Sequence, residues 1–375
     1  MNRRIGVSFF IGPWFFLALL LAGCNYVSST EPTATSLPFW PQATQTPTYP
    51  LFVALQTSEP KALEPISIDN IERLKPVMRV QDDSGISHIA FSPDGNLLAV
   101  GSAKPIVHIW SVREASLAAT LTGHQGSVPA VAFSPDGQVL ATGSWDRTIR
   151  LWRVEDWSLI TSWTAHEGYV RTLAFSPDGA LLASGGEDNA VNVWTPDGSR
   201  QLYHLLGSGI SVNEIVFSPD SSLLVSAYGD SKARVWSMAD GTLLRSLTGF
   251  SNTSSLAFNL EGSLLAGGSW SYSPDTLKPL GRIAFWNPTS GDRLYGTDLN
   301  TGALAIVFST DGSLLFSTTT DDEEYRLRVW RVSDGKWVKD WGGIADRPYA
   351  LDRNPDGTIL ATGASDGEIL FWSIE

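Results

Sequence analysis

Cysteine is almost missing from this chain: its 375 residues include one, Cys24. A single thiol excludes an intrachain disulfide framework and a metal site built on cysteines. Histidine is scarce as well. His88, His108, His124, His166 and His204 make up the set of five, and none stands at metal-ligand spacing from another. Positive charge is also short, with 26 Lys and Arg against 39 Asp and Glu and a formal charge of −13. That balance argues against a nucleic-acid surface, where cations must displace counterions. It favours solubility without specifying a partner. There is no Gly-rich phosphate loop, which removes one common route to catalysis. The run Asp321-Asp322-Glu323-Glu324 is the densest acidic stretch. A calcium site needs oxygens spread around the ion, so a plain acidic run reads as a solvated loop. No catalytic set, cofactor or metal is therefore expected.

Tryptophan, by contrast, is abundant, with 15 copies, and its placement is periodic. Phe91, Phe133, Phe175 and Phe217 each open a Phe-Ser-Pro-Asp segment, and a tryptophan follows nineteen residues later at Trp110, Trp152, Trp194 and Trp236. Looser copies run from Phe258 to Trp286 and from Phe308 to Trp330. A seventh starts at Arg353, keeps Asn354-Pro355-Asp356-Gly357 and ends at Trp372. From each tryptophan to the next opening residue is 22 or 23 positions. A period near 40–45 residues with four short strands per unit is the signature of a propeller blade.

One copy shows the local logic. Val131-Ala132-Phe133 is a short apolar strand. Ser134-Pro135-Asp136-Gly137 is turn chemistry: Pro presets φ, Asp accepts local N–H bonds, and Gly tolerates positive φ. Val139 to Gly143 is a second strand, and Trp145-Asp146-Arg147 a second tight turn. Thr148 to Trp152 alternates polar and apolar, the period of a half-buried strand. A fourth strand is expected near Ser158 to Trp163. One such sheet cannot cover both its faces, but seven packed around an axis can.

The chain resembles the WD40 (tryptophan–aspartate repeat) β-propellers from about residue 66 to its end. The resemblance implies an all-β fold: a seven-bladed propeller of four-stranded antiparallel blades. It also implies a buried tetrad of His, Ser or Thr, Asp and Trp in each intact repeat. His124, Thr142, Asp146 and Trp152 match it, as do His166, Ser184, Asp188 and Trp194. The fourth repeat keeps Ser226, Asp230 and Trp236 but has Ser208 in place of His. The seventh keeps Thr362, Asp366 and Trp372. The first has Val100 and Lys104 and retains only Trp110. The strand-ending Trp in all seven repeats separates the chain from the propellers of prolyl peptidases and of the Tol-system periplasmic protein, which share Phe-Ser-Pro-Asp-Gly.

Residues 1–23 read as a signal peptide: Arg3-Arg4, an apolar run, then Leu21-Ala22-Gly23-Cys24. Removing them would take away two arginines and no acid, leaving a charge of −15. The ending resembles the bacterial lipobox, which implies lipid on Cys24 and a place in the bacterial cell envelope, outside the cytoplasm and anchored to the membrane. Residues 24–65 carry Pro32, Pro38, Pro41, Pro47 and Pro50 among many threonines and read as a disordered tether. Residues 66–375 are assigned to the propeller. Ile68, Ile71 and Leu74 predict a helical turn over Asp69–Leu74, capped by Ser67, ended by Pro76 and plugging one face. Val77–Val80 then reads as a lone strand. Since the chain stops three residues after Trp372, this strand is expected to complete the last blade and close a monomeric ring.

Two repeats are longer than the others, with the excess in Trp270–Leu280 and in Asp321–Tyr325. Both excesses fall between second and third strands, so both should emerge on one face. In the resembling family, partners often dock on that face. The matching positions here are Trp145, Tyr169, Arg171, Glu187, Asn213, Arg347 and Tyr349, joined by Trp270 and Tyr272 from the longer insertion. Trp, Tyr and Arg dominate interface hot spots. The expected function is a non-catalytic protein-interaction scaffold whose partner is a protein. The alternative is a propeller enzyme or small-ligand binder with its site at the channel mouth.

Overall fold

The computed structural model describes residues 63–374, apart from 208, 250, 251, 273–278, 300 and 321–323. The signal segment, Cys24 and nearly all of the tether lie outside the described residues. These residues form seven four-stranded sheets in which every strand pair is antiparallel. In the second blade the strands are Ala130–Phe133, Val139–Gly143, Thr148–Arg153 and Leu159–Thr164. The first strands of the seven blades touch one another in cyclic order, so they ring a central axis.

The repeated Ser-Pro-Asp-Gly turn is held by its own side chains. The Ser134 hydroxyl donates to Asp136 (2.6 Å) and accepts from the Val139 N–H (2.9 Å), while Asp136 accepts from the Gln138 N–H (3.0 Å). Gly137 takes φ 71°, which an L side chain adopts only under strain. The tightness of this turn fixes the register of the first two strands in each blade.

The core lies between blades rather than within them. There is one buried apolar cluster at each of the seven seams. At the seam of blades three and four, Ala183, Val191 and Val193 pack against Val212, Ile215, Leu224 and Trp236. A blade therefore loses half its burial if either neighbour is missing.

Ring closure is as expected. The strand Leu74–Gln81 pairs antiparallel with the last strand, Glu368–Ile374, from Leu74 opposite Ile374 to Gln81 opposite Glu368. It is the outer strand of the seventh blade, whose order runs from it to the two last strands and then to Ala350–Arg353. Arg79 pairs with the buried Glu368 at 2.7 Å, and the Gln81 amide reaches the Asp366 carbonyl at 2.8 Å.

The lead-in differs from its sequence reading in three ways. Pro76 does not end a helix but sits inside the closing strand, where the register shifts between Pro76 and Met78. An outermost strand tolerates a proline because it has no ladder to complete on its far side. The helical turn is shorter, a 3-10 turn at Ile71–Arg73, and no side chain caps it. The Ser67 N–H instead donates to the Asn70 side chain at 2.9 Å. Nor does the segment plug a face: Ile66, Ile71 and Leu74 are buried in the seam of blades six and seven with Leu314, Phe316 and Leu327.

If the closing strand completes the ring, deleting residues 66–80 should lower the melting temperature of the whole domain, while deleting 25–60 should leave it nearly unchanged. An unaltered melting temperature after the first deletion, followed by calorimetry, would show that the ring closes by other means.

Candidate partner-binding face

Two kinds of loop meet at one end of the propeller: the turn between second and third strands, and the loop that enters each blade. Backbone bonds tie them together. Trp145 N–H donates to Ser127 (2.8 Å), Glu187 N–H to Tyr169 (2.9 Å), and Ser365 N–H to Arg347 (3.0 Å). Val170 N–H reaches back to Ser144 of the preceding blade at 3.1 Å. The Ser-Pro-Asp-Gly turns lie at the other end, and the chain joins the propeller there, where the Ile66 N–H donates to Gly357 (2.9 Å).

Directly beneath the first face are the tetrads. The structure brings His124, Thr142, Asp146 and Trp152 together. His124 Nδ1 meets Asp146 at 2.9 Å, its Nε2 meets the Thr142 hydroxyl at 2.8 Å, and the Trp152 indole donates to that hydroxyl at 2.9 Å. His166 repeats the pattern with Asp188 (3.0 Å) and Ser184 (2.7 Å), and Trp194 donates to Ser184 at 3.1 Å. Burial pushes the His124 imidazole below its ordinary value, with only partial opposition from Asp146. Burial also pushes the Asp146 carboxyl up, but bonds from Thr148, Gln125 and His124 outweigh it and hold the group well below the carboxylate range. Asp188 behaves alike: burial raises it, yet His166 and two backbone N–H groups bring it to about 2. Both aspartates are thus ionised near the surface.

The repeats with incomplete tetrads keep an acceptor for the buried indole, as a buried donor requires. Trp236 donates to Ser226 (2.8 Å), Trp330 to Ser317 (2.8 Å) and Trp372 to Thr362 (3.2 Å). In the fourth blade a guanidinium takes the place of the imidazole. Arg234 is buried, pairs with Asp230 at 2.7 Å and lies 4.4 Å over the Tyr228 ring. The first blade corrects the reading that only Trp110 remains. Trp110 donates to Asp82 at 3.0 Å, His108 meets the same oxygen at 2.8 Å, and Ser84 bonds the other oxygen through N–H (3.0 Å) and hydroxyl (2.6 Å). Val100 cannot accept, so the indole turns to the carboxylate. The signal was legible: Asp82 stands 28 residues before Trp110, as His124 does before Trp152 and His166 before Trp194. Asp82, Asp83 and His108 also lie close enough to share an ion. Their geometry is already satisfied: Asp82 holds four protein donors, and Lys104 is 3.1 Å from Asp83.

The nine face positions separate on inspection. Trp145 and Tyr169 form a parallel stack, centroids 5.1 Å apart and planes at 11°, with Tyr169 42% exposed. Glu187 is exposed beside them. Arg171 is half-buried, and burial lowers its guanidinium against the pull of Glu187. Arg347 donates to the Tyr349 and Tyr325 hydroxyls, which raises it further above its high ordinary value. Asn213 is committed to the next blade, donating to the Thr253 carbonyl at 3.0 Å. Trp270 is half-buried with Gly302 against it, where an added Cβ would lie 2.7 Å from the Trp270 Cβ. The side chain of Tyr272 lies outside the described residues.

The insertions are largely strand. Leu265–Tyr272 and Pro279–Trp286 pair as far as Tyr272 opposite Pro279, and Leu314–Thr320 and Tyr325–Arg331 as far as Thr320 opposite Tyr325. Both are hairpins lengthened at the end that carries Trp145 and Tyr169. Of the acidic run, Asp321, Asp322 and Glu323 lie outside the described residues, and Glu324 pairs with Arg326.

Inward of the face, two carboxyls sit on the strands that ring the axis. Glu214 accepts from the Thr172 hydroxyl of the neighbouring blade at 3.0 Å, and burial pushes it up to about 7. Asp352 accepts from the Phe91 N–H of its neighbour at 2.9 Å, and burial pushes it up to about 6.

The family model for WD domain, G-beta repeat, matches residues 74–111, 115–153, 157–195, 199–237 and 343–373. The blades carrying the long hairpins fall outside these matches. The chain is 31% identical over 97 residues to WD repeat and SOCS box-containing protein 1 of Takifugu rubripes, covering 25% of this chain and 22% of that protein. It is 33% identical over 70 residues to eukaryotic translation initiation factor 3 subunit I of Neurospora crassa, covering 19% of each. It is 28% identical over 92 residues to anaphase-promoting complex subunit cdh1 of Dictyostelium discoideum, covering 24% of this chain and 12% of that protein. The chain thus spans less than a quarter of the length of each of these relatives.

Asp82→Ala should destabilise the domain by about 1–3 kcal/mol, since it strips the acceptor from the Trp110, His108 and Ser84 side chains, and Asp146→Ala should cost about as much. Lys104→Ala, a surface pair, should cost about 0–1 kcal/mol. Because the folded-state Asp188 lies below its unfolded value, its contribution is full above about pH 4 and is lost as pH falls toward 2. Glu214 has the opposite sign: its folded value is raised, so its cost is absent below about pH 4.5 and full above about pH 7. Glu214→Gln should therefore raise stability at pH 8 and change it little at pH 4.5, which denaturant titrations at those two pH values check. By its repeats and its ring of blades, this chain is a seven-bladed WD40-repeat β-propeller.

Proposed function

We propose that the chain is a non-catalytic protein-interaction scaffold, held outside the cytoplasmic membrane of a bacterial cell through lipid on Cys24. WD40 propellers are typical of protein-interaction scaffolds, and the repeats here are of that kind. The observation that carries the reading is the Trp145–Tyr169 stack, in which Tyr169 is 42% exposed. Aromatic side chains of low conformational entropy are what protein interfaces use as anchors. The anchoring part rests on the sequence: an apolar N-terminal run that ends in Leu-Ala-Gly-Cys, with no other cysteine in the chain. Ile66 bonds to Gly357 at the end opposite Trp145 and Tyr169.

Cys24→Ser should yield unprocessed precursor without lipid labelling, and Trp145→Ala should fold normally yet weaken capture of the partners that the intact chain retains from envelope extract. Unchanged processing and membrane partition in the first variant would remove the anchor. Unchanged capture by the second would move the binding surface to the other face or the channel.

A further inference from the structure

The chemistry around Trp145 and Tyr169 narrows what that face can hold. We infer that the stacked pair is the seat for a Lys or Arg side chain on an extended, basic segment of a protein partner, an inference that rests on the protein-binding reading above.

Exposure alone does not single out Tyr169, because other large apolar side chains are exposed too. Leu117, Leu159, Leu243 and Trp337 lie on outer strands, directly opposite Trp110, Trp152, Trp236 and Trp330 in the register, and recur at that place from blade to blade. Tyr169 does not belong to that set. It sits in the loop entering blade three and stacks across the blade boundary on Trp145. The backbone on both sides is fixed by close approach. An added Cβ at Gly126 would lie 3.2 Å from the Trp145 Cβ, and one at Gly168 would lie 2.8 Å from the Asp188 nitrogen. The platform is therefore formed before any partner arrives, which limits the ordering cost of binding.

The charge around the platform is mainly negative. Glu167 and Glu187 are exposed, two residues before Tyr169 and bonded to its carbonyl respectively. Asp146 and Asp188 add two ionised carboxylates just below, and the His124 imidazole that faces Asp146 is held neutral at pH 7. Against these four stand the half-buried Arg171 and Arg150, the latter committed to the Gly123 carbonyl at 2.8 Å, and the exposed Arg147. An aromatic face with carboxylates at its rim attracts a cation and repels an anion. The next loop around the ring adds Ile210, 46% exposed and seated against Gly229. A segment crossing both loops would place its cation on the aromatic pair and an apolar side chain on Ile210.

The test uses the full chain, immobilised, and a library of random synthetic heptapeptides. Peptides retained by the wild-type chain and lost by Trp145→Ala should be enriched in Lys and Arg. For the best of them, replacing arginine by the neutral citrulline should weaken binding about tenfold, within the range for a desolvated cation–π contact. Glu187→Gln, which leaves the stack intact, should weaken the same peptide a few-fold and flatten its salt dependence. Since Trp145→Ala could also disturb its loop, Tyr169→Ala serves as a second variant, with melting temperature as the control for folding. A Trp145-dependent peptide set without cations, or equal binding of arginine and citrulline forms, would overturn the cation seat and leave the protein-binding face standing. Peptides held equally by all variants would overturn the seat and the face together.

Discussion

Each blade of this propeller covers its two faces only with its neighbours, so the ring has to close. The seven apolar clusters lie at seams, and the seam between the last and first blades is made by a strand from the far end of the chain. Val77, Met78 and Val80 on that strand pack into this seam, while Leu74 packs into the one before it. Without the pairing of Leu74–Gln81 with Glu368–Ile374, the seventh blade would show an unpaired edge and two seams would open together. The face on which Trp145 and Tyr169 stack depends on this constraint, because the stack crosses from one blade to the next.

A second constraint works within each blade. A buried indole N–H left without an acceptor costs stability, and the chain supplies one to its strand-ending tryptophans in several ways. Thr142 and Ser184 do it within full tetrads, and Ser226, Ser317 and Thr362 without the histidine. In the first blade a carboxylate does it instead. Each of these strand-ending indoles has an acceptor whose identity varies, whereas the buried indole N–H of Trp163, on an outer strand, has none. Where the histidine is lost, the charge of the turn aspartate needs another answer, and Arg234 gives it in blade four.

Repetition made the fold legible. Phenylalanine, the Ser-Pro-Asp-Gly turn and tryptophan recur at nearly fixed intervals, and each has a local physical reason that survives without the rest of the chain. The closing strand was legible by elimination, since the last repeat lacked an outer strand. What escaped was set by contacts between distant residues. Pro76 looked like a helix stop because its strand partner lies nearly 300 residues away. Asp82 went unread because its role appears only when Val100 is seen to offer no acceptor. Asn213 and Trp270 were read as exposed from their positions in the repeat, yet neighbouring blades take up one and cover part of the other. Trp145 and Tyr169 were read from the same positions. Their stacking, which gives them a shared surface, was not visible in the residues themselves.

The central claim is that the face formed by the second-to-third-strand turns and the blade-entry loops is where a protein partner sits. Hydrogen–deuterium exchange on the full chain, with and without a captured partner, tests it most directly. The account predicts added protection in peptides spanning Ser144–Arg147 and Glu167–Arg171, with the Ser-Pro-Asp-Gly turns at Ser134–Gly137 and Ser176–Gly179 unchanged. Protection confined to those turns, with no change around Trp145 and Tyr169, would contradict it.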